Sequence, residues 1–305
     1  MMQLDPNRIE IVSISDTGRQ RANNQDSYGE GRARSGARWI MVADGMGGHA
    51  GGATASRVAV ETVSSVVASS QDAPDVALRA ALEAANRVVH DEAQRNEQLA
   101  GMGTTGVAAL FSSDGLAFVA NVGDSRAYRM RDGALQQITF DHSLVAELHR
   151  RGMITEEEAL VHPRRNEVLR SLGVEPDVVV DLHQLDLRPG DLFLLCSDGL
   201  SGVVRDAEIA EVVRREAPAQ AVRTLVDFAN SRGGPDNVTV QIARIPGHKS
   251  DGGSDSETPQ PGARSLTLTL VGLAVLVSAL VVWSMFGELR DATRAAARET
   301  PVEAD

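Results

Sequence analysis

Short apolar runs alternate with longer amphipathic segments along most of the chain. Short runs rich in β-branched residues and bounded by Gly, Pro or Asp are typical of strands, whereas apolar residues that recur every three or four positions are typical of helices. Strands are predicted at residues 9–15, 38–43, 107–111, 116–122, 126–130, 178–185, 192–196 and 238–243. Helices are predicted at residues 53–68, 74–96, 142–151, 205–216 and 218–232.

The turns between several predicted strands are too short to hold a crossover helix. Gly115, Asp132-Gly133 and Pro189-Gly190 mark such turns, and strands joined by so few residues must pair antiparallel. Strand clusters that alternate with pairs of helices favour the α+β class. We therefore expect two packed, mainly antiparallel sheets with helices on their outer faces.

The far end of the chain has a different pattern. Residues 266–286 form a run of 21 residues without a charged side chain, with Trp283 near one end. About 20 such residues span a bilayer as a helix, and Trp is common at the interface. A buried core helix is less favoured, because little protein remains for it to pack against. We predict one transmembrane helix at 265–287, after a Gly/Ser/Asp/Pro-rich linker at 246–264 and before a short tail at 288–305.

Composition excludes several classes of protein. A formal net charge of −12 argues against nucleic-acid binding, because phosphate backbones attract basic surfaces. The lone cysteine, Cys196, rules out an internal disulfide framework and fits a reducing compartment. The first ten residues carry charges and no apolar segment, so no secretory signal is expected there.

Aspartates at the ends of apolar strands are the candidate chemical groups. Asp44 follows the run Trp39–Ala43 and precedes glycines, and a buried carboxylate in such a place is costly unless a cation lies beside it. The other aspartates of this kind are Asp26, Asp124, Asp198 and Asp236. Each alone is most simply a turn residue, but five together would repel unless cations gathered them. Oxygen ligands suit Mg²⁺ or Mn²⁺, and the chain has no HExxH or CxxC motif for zinc.

Seven short motifs carry these acids in a fixed order. They are Arg21-x-x-Asn24-x-Asp26, Asp44-Gly45-x-Gly47-Gly48, Gly103-Thr104-Thr105, Gly123-Asp124-Ser125-Arg126, Asp141-His142, Ser197-Asp198-Gly199 and Asp236-Asn237. The series resembles that of the PPM (PP2C-like) metal-dependent protein serine/threonine phosphatases, bacterial branch, over residues 9–245. The resemblance implies a phosphatase domain at 1–245 with a four-layer α-β-β-α sandwich fold.

The resemblance also implies a binuclear centre that holds two Mn²⁺ or Mg²⁺ ions. Asp44 would bridge the two ions, and the carbonyl of Gly45 would bind one of them. Asp198 and Asp236 would complete the other, and Asp26 would lie just outside and hold metal-bound water. A metal-activated water would then hydrolyse phosphoserine or phosphothreonine in proteins without a phosphoenzyme.

Further roles follow from the same resemblance. Asp124, with Asp198, would hold a weaker third ion, and Arg21 would bind the substrate phosphate. Many eukaryotic members carry a proposed histidine acid where Met46 stands here, so the proton donor would be a metal-bound water or His49. The polar segment at 142–172 is predicted to be the variable flap beside the site, with a solvated helical insertion as the alternative.

Two other functions, dinucleotide binding and a non-catalytic scaffold, are alternatives to the phosphatase. The string from Gly45 to Ala50 also fits the dinucleotide motif G-x-G-x-x-A, which requires a parallel strand soon after the helix. The predicted helix at 74–96 follows instead. A catalytically silent, phosphatase-like scaffold at the membrane is the second alternative, although every expected ligand is present.

Partners and location are expectations from the family and from the predicted anchor. The substrates would be phosphoproteins, and the enzyme would oppose Ser/Thr kinases, among them a membrane-tethered kinase. Three arginines after the anchor favour an inner C-terminus. Against this orientation stand the lack of a signal and the kinase-opposing role, and we therefore expect a cytoplasmic catalytic domain at the cell membrane.

Overall fold

The computed structural model describes residues 4–47 and 51–247, which form eleven β-strands and seven α-helices. The strands are β1 (Glu10–Asp16), β2 (Asp26–Arg32), β3 (Arg38–Met46), β4 (Gly103–Thr104), β5 (Gly106–Phe111), β6 (Leu116–Val122), β7 (Arg126–Arg131), β8 (Ala134–Gln137), β9 (Asp181–Asp186), β10 (Leu192–Cys196) and β11 (Val238–Arg244). The helices are α1 (Gly51–Ser69), α2 (Pro74–Arg95), α3 (Leu144–Arg150), α4 (Glu156–Leu160), α5 (Asp198–Ser201), α6 (Asp206–Arg215) and α7 (Pro218–Ser231).

The strands form two antiparallel sheets. The first sheet has the order β1-β11-β10-β7-β8, and the second has the order β2-β3-β5-β6-β9, with β4 paired to β3. Every strand pair within the described ranges is antiparallel, as the short turns predicted. The helix α1 is followed by α2, so the parallel strand that the dinucleotide hypothesis requires does not follow α1.

Three apolar clusters hold the layers together. Between the sheets, Phe111 and Phe193 meet edge to face, with ring centroids 5.1 Å apart. On the outer face of the second sheet, Trp39 and Met41 pack against α1 and α2. The helices α6 and α7 cover the first sheet in the same way, with Leu225 in the cluster. The result is the expected α-β-β-α order of layers.

The strand β3 shows why its sequence is a continuous apolar run. Trp39 and Met41 face the helices, while Ile40 and Val42 face the other sheet. All four side chains are buried, because both faces of a central strand in a sandwich are covered. Asp44 lies near the C-terminal end of this strand, at the edge of the apolar run.

The strand β2 was not predicted, because its sequence is polar and contains two glycines. The glycines accommodate the indole of Trp39 on the neighbouring strand. A Cβ atom at Gly29 would lie 3.1 Å from the Trp39 ring, and one at Gly31 would lie 2.9 Å from its Nε1. Packing against β3 therefore forms this strand, rather than intrinsic preference.

The strand predicted at 178–185 begins later, at Asp181. Arg170 donates a hydrogen bond to the carbonyl of Val179, and Arg79 donates one to the carbonyl of Val180. Because these two carbonyl oxygens already accept hydrogen bonds from arginine side chains, they are not used for pairing with a neighbouring strand. The strand pairing therefore begins at Asp181.

The predicted flap, 142–172, contains α3 and the short helix α4, which was not predicted. Its two ends are joined by an isolated bridge between Ser143 and Val168. Thr155 caps α4 through a reciprocal capping box with Glu158.

The predicted linker, anchor and tail fall on residues 246–305, which lie outside the described residues apart from Pro246 and Gly247. Within 4–47 and 51–247, no helix is both long enough and apolar enough to cross a bilayer. The anchor therefore stays a prediction.

Candidate metal centre

Asp26 and Asp44 lie side by side at one end of the sandwich. They are paired partners in the β2–β3 ladder, so their side chains lie on the same face of the sheet. The carboxylate Oδ2 of Asp26 accepts hydrogen bonds from the Ser197 and Thr239 hydroxyls, each at 2.7 Å. Since those hydroxyls belong to the first sheet, Asp26 joins the two sheets at the site.

The first sheet supplies Asp198 and Asp236. Asp198 begins α5 directly after β10, and Asp236 precedes β11, the neighbour of β10. A Cβ atom at Gly199 would lie only 1.9 Å from the carbonyl oxygen of Asn237. Only glycine permits this close approach of two backbone segments, and the approach draws the two aspartates together.

The aspartates from the two sheets interact directly. Burial raises the pKa of Asp44 well above its usual range, and the charges of Asp26 and Asp198 raise it further. A side-chain hydrogen bond between the Asp44 and Asp198 carboxyls raises the pKa of Asp44 and opposes the rise at Asp198. Burial also raises the pKa of Asp198, and the charge of Asp236 adds to this effect. The carboxyls of Asp44 and Asp236 therefore both lie near the carboxyl of Asp198.

Two further acids complete the cluster. Burial raises the pKa of Asp26 to about 7, against the opposing hydrogen bonds from Thr239 and Ser197. Burial likewise raises the pKa of Asp124, in the turn between β6 and β7, to about 7, with a further contribution from the charge of Asp198. The structure thus brings the other four predicted aspartates within electrostatic reach of Asp198.

Arg21 lies at the exposed edge of this cluster. Its Nη2 donates a hydrogen bond to Oδ2 of Asp236 at 2.6 Å, and its side chain is 51% exposed. The loop that carries it is held by Asn237, whose Nδ2 donates to the carbonyls of Thr17 and Asn23. No role was predicted for Asn237, although the motif Asp236-Asn237 contains it.

The donor set fits a hard divalent cation. Oδ1 of Asp26 and Oδ1 of Asp198 are buried and have no hydrogen-bond partner within the described residues. Unpaired buried carboxylate oxygens are costly, and a cation removes that cost. The residue after Asp44 must be glycine, because a Cβ atom at Gly45 would lie 2.0 Å from the carbonyl oxygen of Gly52.

The carboxyls are arranged in pairs in this structure. Asp44 is hydrogen-bonded to Asp198, and Asp236 is ion-paired with Arg21. Across 4–47 and 51–247, no three acidic, His or Cys side chains surround a common point closely enough to hold an ion as they stand. Ion binding would therefore exchange these pairwise contacts for metal ligation.

The candidate proton donors differ in position. Met46 ends β3 and has no titratable group, while His49 lies outside the described residues. His142 is committed elsewhere: its Nδ1 accepts a hydrogen bond from the Gly123 amide, and its Nε2 lies 3.1 Å from Asp181. Burial lowers the pKa of His142, so the ring is neutral and supports the turn that carries Asp124.

A second ion pair supports the same turn. Arg126 donates to both carboxylate oxygens of Asp141, with the shortest contact at 2.7 Å. This bidentate pair explains why the motif after Asp124 ends in arginine and why Asp141 precedes His142. The hydroxyls of Ser197 and Thr239 support Asp26, and the sequence gives no direct sign of this role. Its only hint is that Ser197 belongs to the motif Ser197-Asp198-Gly199 and that Thr239 lies just after Asp236-Asn237.

This fold, with its acids at one end of a two-sheet sandwich, is that of the PPM class of proteins. A sequence profile described as Protein phosphatase 2C matches residues 17–240. The chain therefore belongs to the protein phosphatase 2C family.

Curated relatives and a solved structure agree with this assignment. The chain is 39% identical over 234 residues to the serine/threonine phosphatase stp of Listeria monocytogenes, which covers 75% of the chain and 92% of that protein. It is 41% identical over 244 residues to the serine/threonine protein phosphatase PstP of Mycobacterium tuberculosis, over 78% of the chain and 45% of that protein. The crystal structure of the catalytic domain of PstP in complex with two manganese ions matches with a TM-score of 0.71 and 37% identity, over 78% of the chain and 98% of that structure.

The raised pKa values predict how stability depends on pH and metal. Asp26 and Asp124 bind protons in the folded state up to about pH 7, whereas their ordinary pKa is 3.8. In the metal-free protein the contribution of these two groups to stability is therefore fully present below their ordinary pKa and is lost as the pH rises through about 7. Because Mn²⁺ competes with these protons, it should raise the melting temperature by about 5–10 °C at neutral pH and by clearly less near pH 5.

Differential scanning calorimetry with Mn²⁺ or EDTA at both pH values measures this effect. An equal metal-induced shift at the two pH values would contradict the prediction.

Proposed function

We propose that this protein is a metal-dependent phosphoprotein phosphatase that hydrolyses phosphoserine and phosphothreonine. The observation that carries the proposal is the cluster of five aspartates, drawn from both sheets, beside the half-exposed Arg21. Membership of the protein phosphatase 2C family supports it, as do relatives named serine/threonine phosphatases.

The residues that would hold two Mn²⁺ or Mg²⁺ ions are Asp44, the carbonyl of Gly45, Asp198 and Asp236. Asp26 supports them from just outside, and Asp124 offers oxygen atoms for a weaker third ion. Bound divalent ions would neutralise the phosphate dianion and lower the pKa of a water nucleophile. Manganese in the solved relative agrees with this oxygen-only ligand set.

Arg21 would bind and orient the phosphate group of the substrate. Its guanidinium presents a planar fork of donors, which suits the oxygens of a phosphate. Asp236 holds the guanidinium by one nitrogen, and Asn237 fixes the loop on both sides of it. The fork is therefore directed before the substrate arrives, which lowers the entropic cost of binding.

The direct test is dephosphorylation of a phosphothreonine peptide with Mn²⁺ and with EDTA. We expect turnover that requires the metal and that returns when Mn²⁺ is added after chelation. A catalytically silent, phosphatase-like scaffold is the alternative. Absence of turnover at every metal concentration, from protein that binds Mn²⁺, would favour that scaffold.

Substitution of Arg21 separates substrate binding from metal binding. Arg21→Ala should raise KM for the phosphopeptide about tenfold to a hundredfold, because a charged hydrogen-bonding partner of the phosphate is lost. Arg21→Lys should recover part of this loss, since the charge stays and the fork does not. Steady-state kinetics at saturating Mn²⁺ measures both variants.

Arg19→Ala is the matched control, because Arg19 is an exposed arginine on the same loop. A lower kcat with unchanged KM in Arg21→Ala would contradict a phosphate-binding role.

We also propose that residues 265–287 anchor the domain in the cell membrane, with the catalytic domain in the cytoplasm. The charge-free run at 266–286 and the linker at 246–264 support this. A membrane-tethered Ser/Thr kinase or its phosphorylated targets would then be the partners within reach. Protease treatment of sealed inside-out vesicles tests the topology, and a catalytic domain that stays protected there would contradict it.

A further inference from the structure

Thr105 holds the backbone of Asp44 at both of its polar atoms. The Asp44 amide donates a hydrogen bond to the Thr105 hydroxyl at 2.9 Å, and the Thr105 amide donates one to the Asp44 carbonyl at 2.8 Å. The Thr104 hydroxyl donates to the same carbonyl at 2.8 Å. Thr105 is 1% exposed, so water cannot replace these contacts.

The other side of Thr105 contacts the turn that carries Asp124. Oγ1 of Thr105 lies 2.7 Å from Oγ of Ser125, and both residues are buried. A Cβ atom at Gly123, whose φ is +109°, would lie 2.6 Å from Cγ2 of Thr105. The hydroxyl and the methyl group of one side chain therefore touch the residues on both sides of Asp124.

We infer that Thr105 is a positioning residue that sets the spacing between Asp44 and Asp124, and that cation affinity depends on its hydroxyl. This inference rests on the proposed metal-dependent function. Thr105 is buried, and its side-chain hydroxyl contacts the two segments that carry Asp44 and Asp124.

The chemistry of a hydroxyl explains why threonine is needed. A hydroxyl has one hydrogen and two acceptor lone pairs, so Thr105 can accept from the Asp44 amide and still pair with Ser125. Valine has the same shape but would leave both groups unpaired in a buried place. The two segments would then shift toward other partners, and the two carboxylates would no longer be held at one fixed separation.

Titration of Mn²⁺ into the metal-free protein by isothermal calorimetry tests this inference without measuring activity. We expect Thr105→Val to raise the Kd for Mn²⁺ about tenfold to a hundredfold, the range seen when groups that orient metal ligands are removed. Thr105→Ser keeps the hydroxyl and should bind Mn²⁺ nearly as wild type does. Ser125→Ala should weaken binding as well, and its effect should not add fully to that of Thr105→Val.

Thr139→Val is the matched control. Thr139 is also buried, and its hydroxyl accepts a hydrogen bond from the Ala127 amide at 3.0 Å. This variant should lose a similar amount of stability and keep the wild-type Kd. If Thr105 contributed only to stability, Thr105→Val and Thr139→Val would lose similar stability and would both keep the wild-type Kd for Mn²⁺.

The outcomes separate the inference from the proposed function. Wild-type Mn²⁺ affinity in Thr105→Val would overturn the inference and leave the proposed function standing. If Thr105→Val does not fold, unchanged affinity in Ser125→Ala would overturn the inference in the same way. Wild-type protein that binds no Mn²⁺ would overturn both.

Discussion

Asp198→Asn is expected to abolish turnover and, at the same time, to stabilise the metal-free protein. Asparagine has the size of aspartate but lacks the negative charge that would hold a cation. Removal of groups that merely orient ligands lowers metal affinity about tenfold to a hundredfold, so loss of a ligand should lower turnover by at least about a hundredfold. The prediction of greater stability comes from the same carboxyl.

In the absence of metal, the charged carboxylate of Asp198 lowers the stability of the folded protein. Burial and the charge of Asp236 raise the pKa of Asp198, and its Oδ1 has no hydrogen-bond partner among the described residues. A neutral amide removes the charge from this place, so the melting temperature in EDTA should rise by a few degrees, at roughly 2–4 °C per kcal/mol. Function and metal-free stability therefore make opposite demands on this position.

Two measurements on one preparation check this prediction. Peptide dephosphorylation at saturating Mn²⁺ should fall, while calorimetry in EDTA should show a higher melting temperature. Asp177→Asn is the control, because Asp177 is an exposed loop aspartate outside the cluster, and neither quantity should change. Full turnover in Asp198→Asn would remove Asp198 from the ligand set, and a lower melting temperature would contradict the electrostatic account.

Gly199→Ala is expected to disrupt the site through one added methyl group. The new Cβ atom would lie 1.9 Å from the Asn237 carbonyl oxygen, which is a backbone atom and cannot swing aside. Relief of this overlap requires α5 and the segment before β11 to separate, and overpacking of this kind typically costs about 1–3 kcal/mol or more. Since Asp198 and Asp236 flank the contact, Mn²⁺ affinity should fall together with stability.

The expected result is a lower melting temperature and a much higher Kd for Mn²⁺, measured by calorimetry. Gly247→Ala provides the comparison, because no atom of residues 4–47 or 51–247 lies within 4 Å of the position of its added Cβ. If Gly199→Ala bound Mn²⁺ with wild-type affinity, the close backbone approach would not be what brings the two aspartates together.

Much of the fold could be predicted from the sequence where burial leaves a periodic pattern. The strands β6 and β10 begin and end at the predicted residues, because each is a short apolar run between turn residues. The strand β2 left no such pattern, since its glycines are there for the ring of Trp39 on another strand. A contact between distant residues has no period along the chain, so it could not be found in this way.

Some residues of the candidate site could likewise be predicted from the sequence, and others could not. Its acids could be predicted, because a charged residue at the end of an apolar strand next to glycine is conspicuous. The hydroxyls of Ser197 and Thr239, which hold Asp26, and the amide of Asn237 are ordinary polar residues until the sheets bring them together. Their roles depend on distances across the two sheets, which one sequence does not state.

The pairing of the first strand with the last has a consequence for synthesis on the ribosome. β1 and β11 are neighbours in one sheet, and the contact between Arg21 and Asp236 joins residues 215 positions apart. A growing polypeptide carries most of the acidic cluster long before the segment that closes it has been translated. Since contacts this distant form late in folding, catalytic competence should appear only once translation has passed β11. No shorter nascent product could then remove phosphate prematurely.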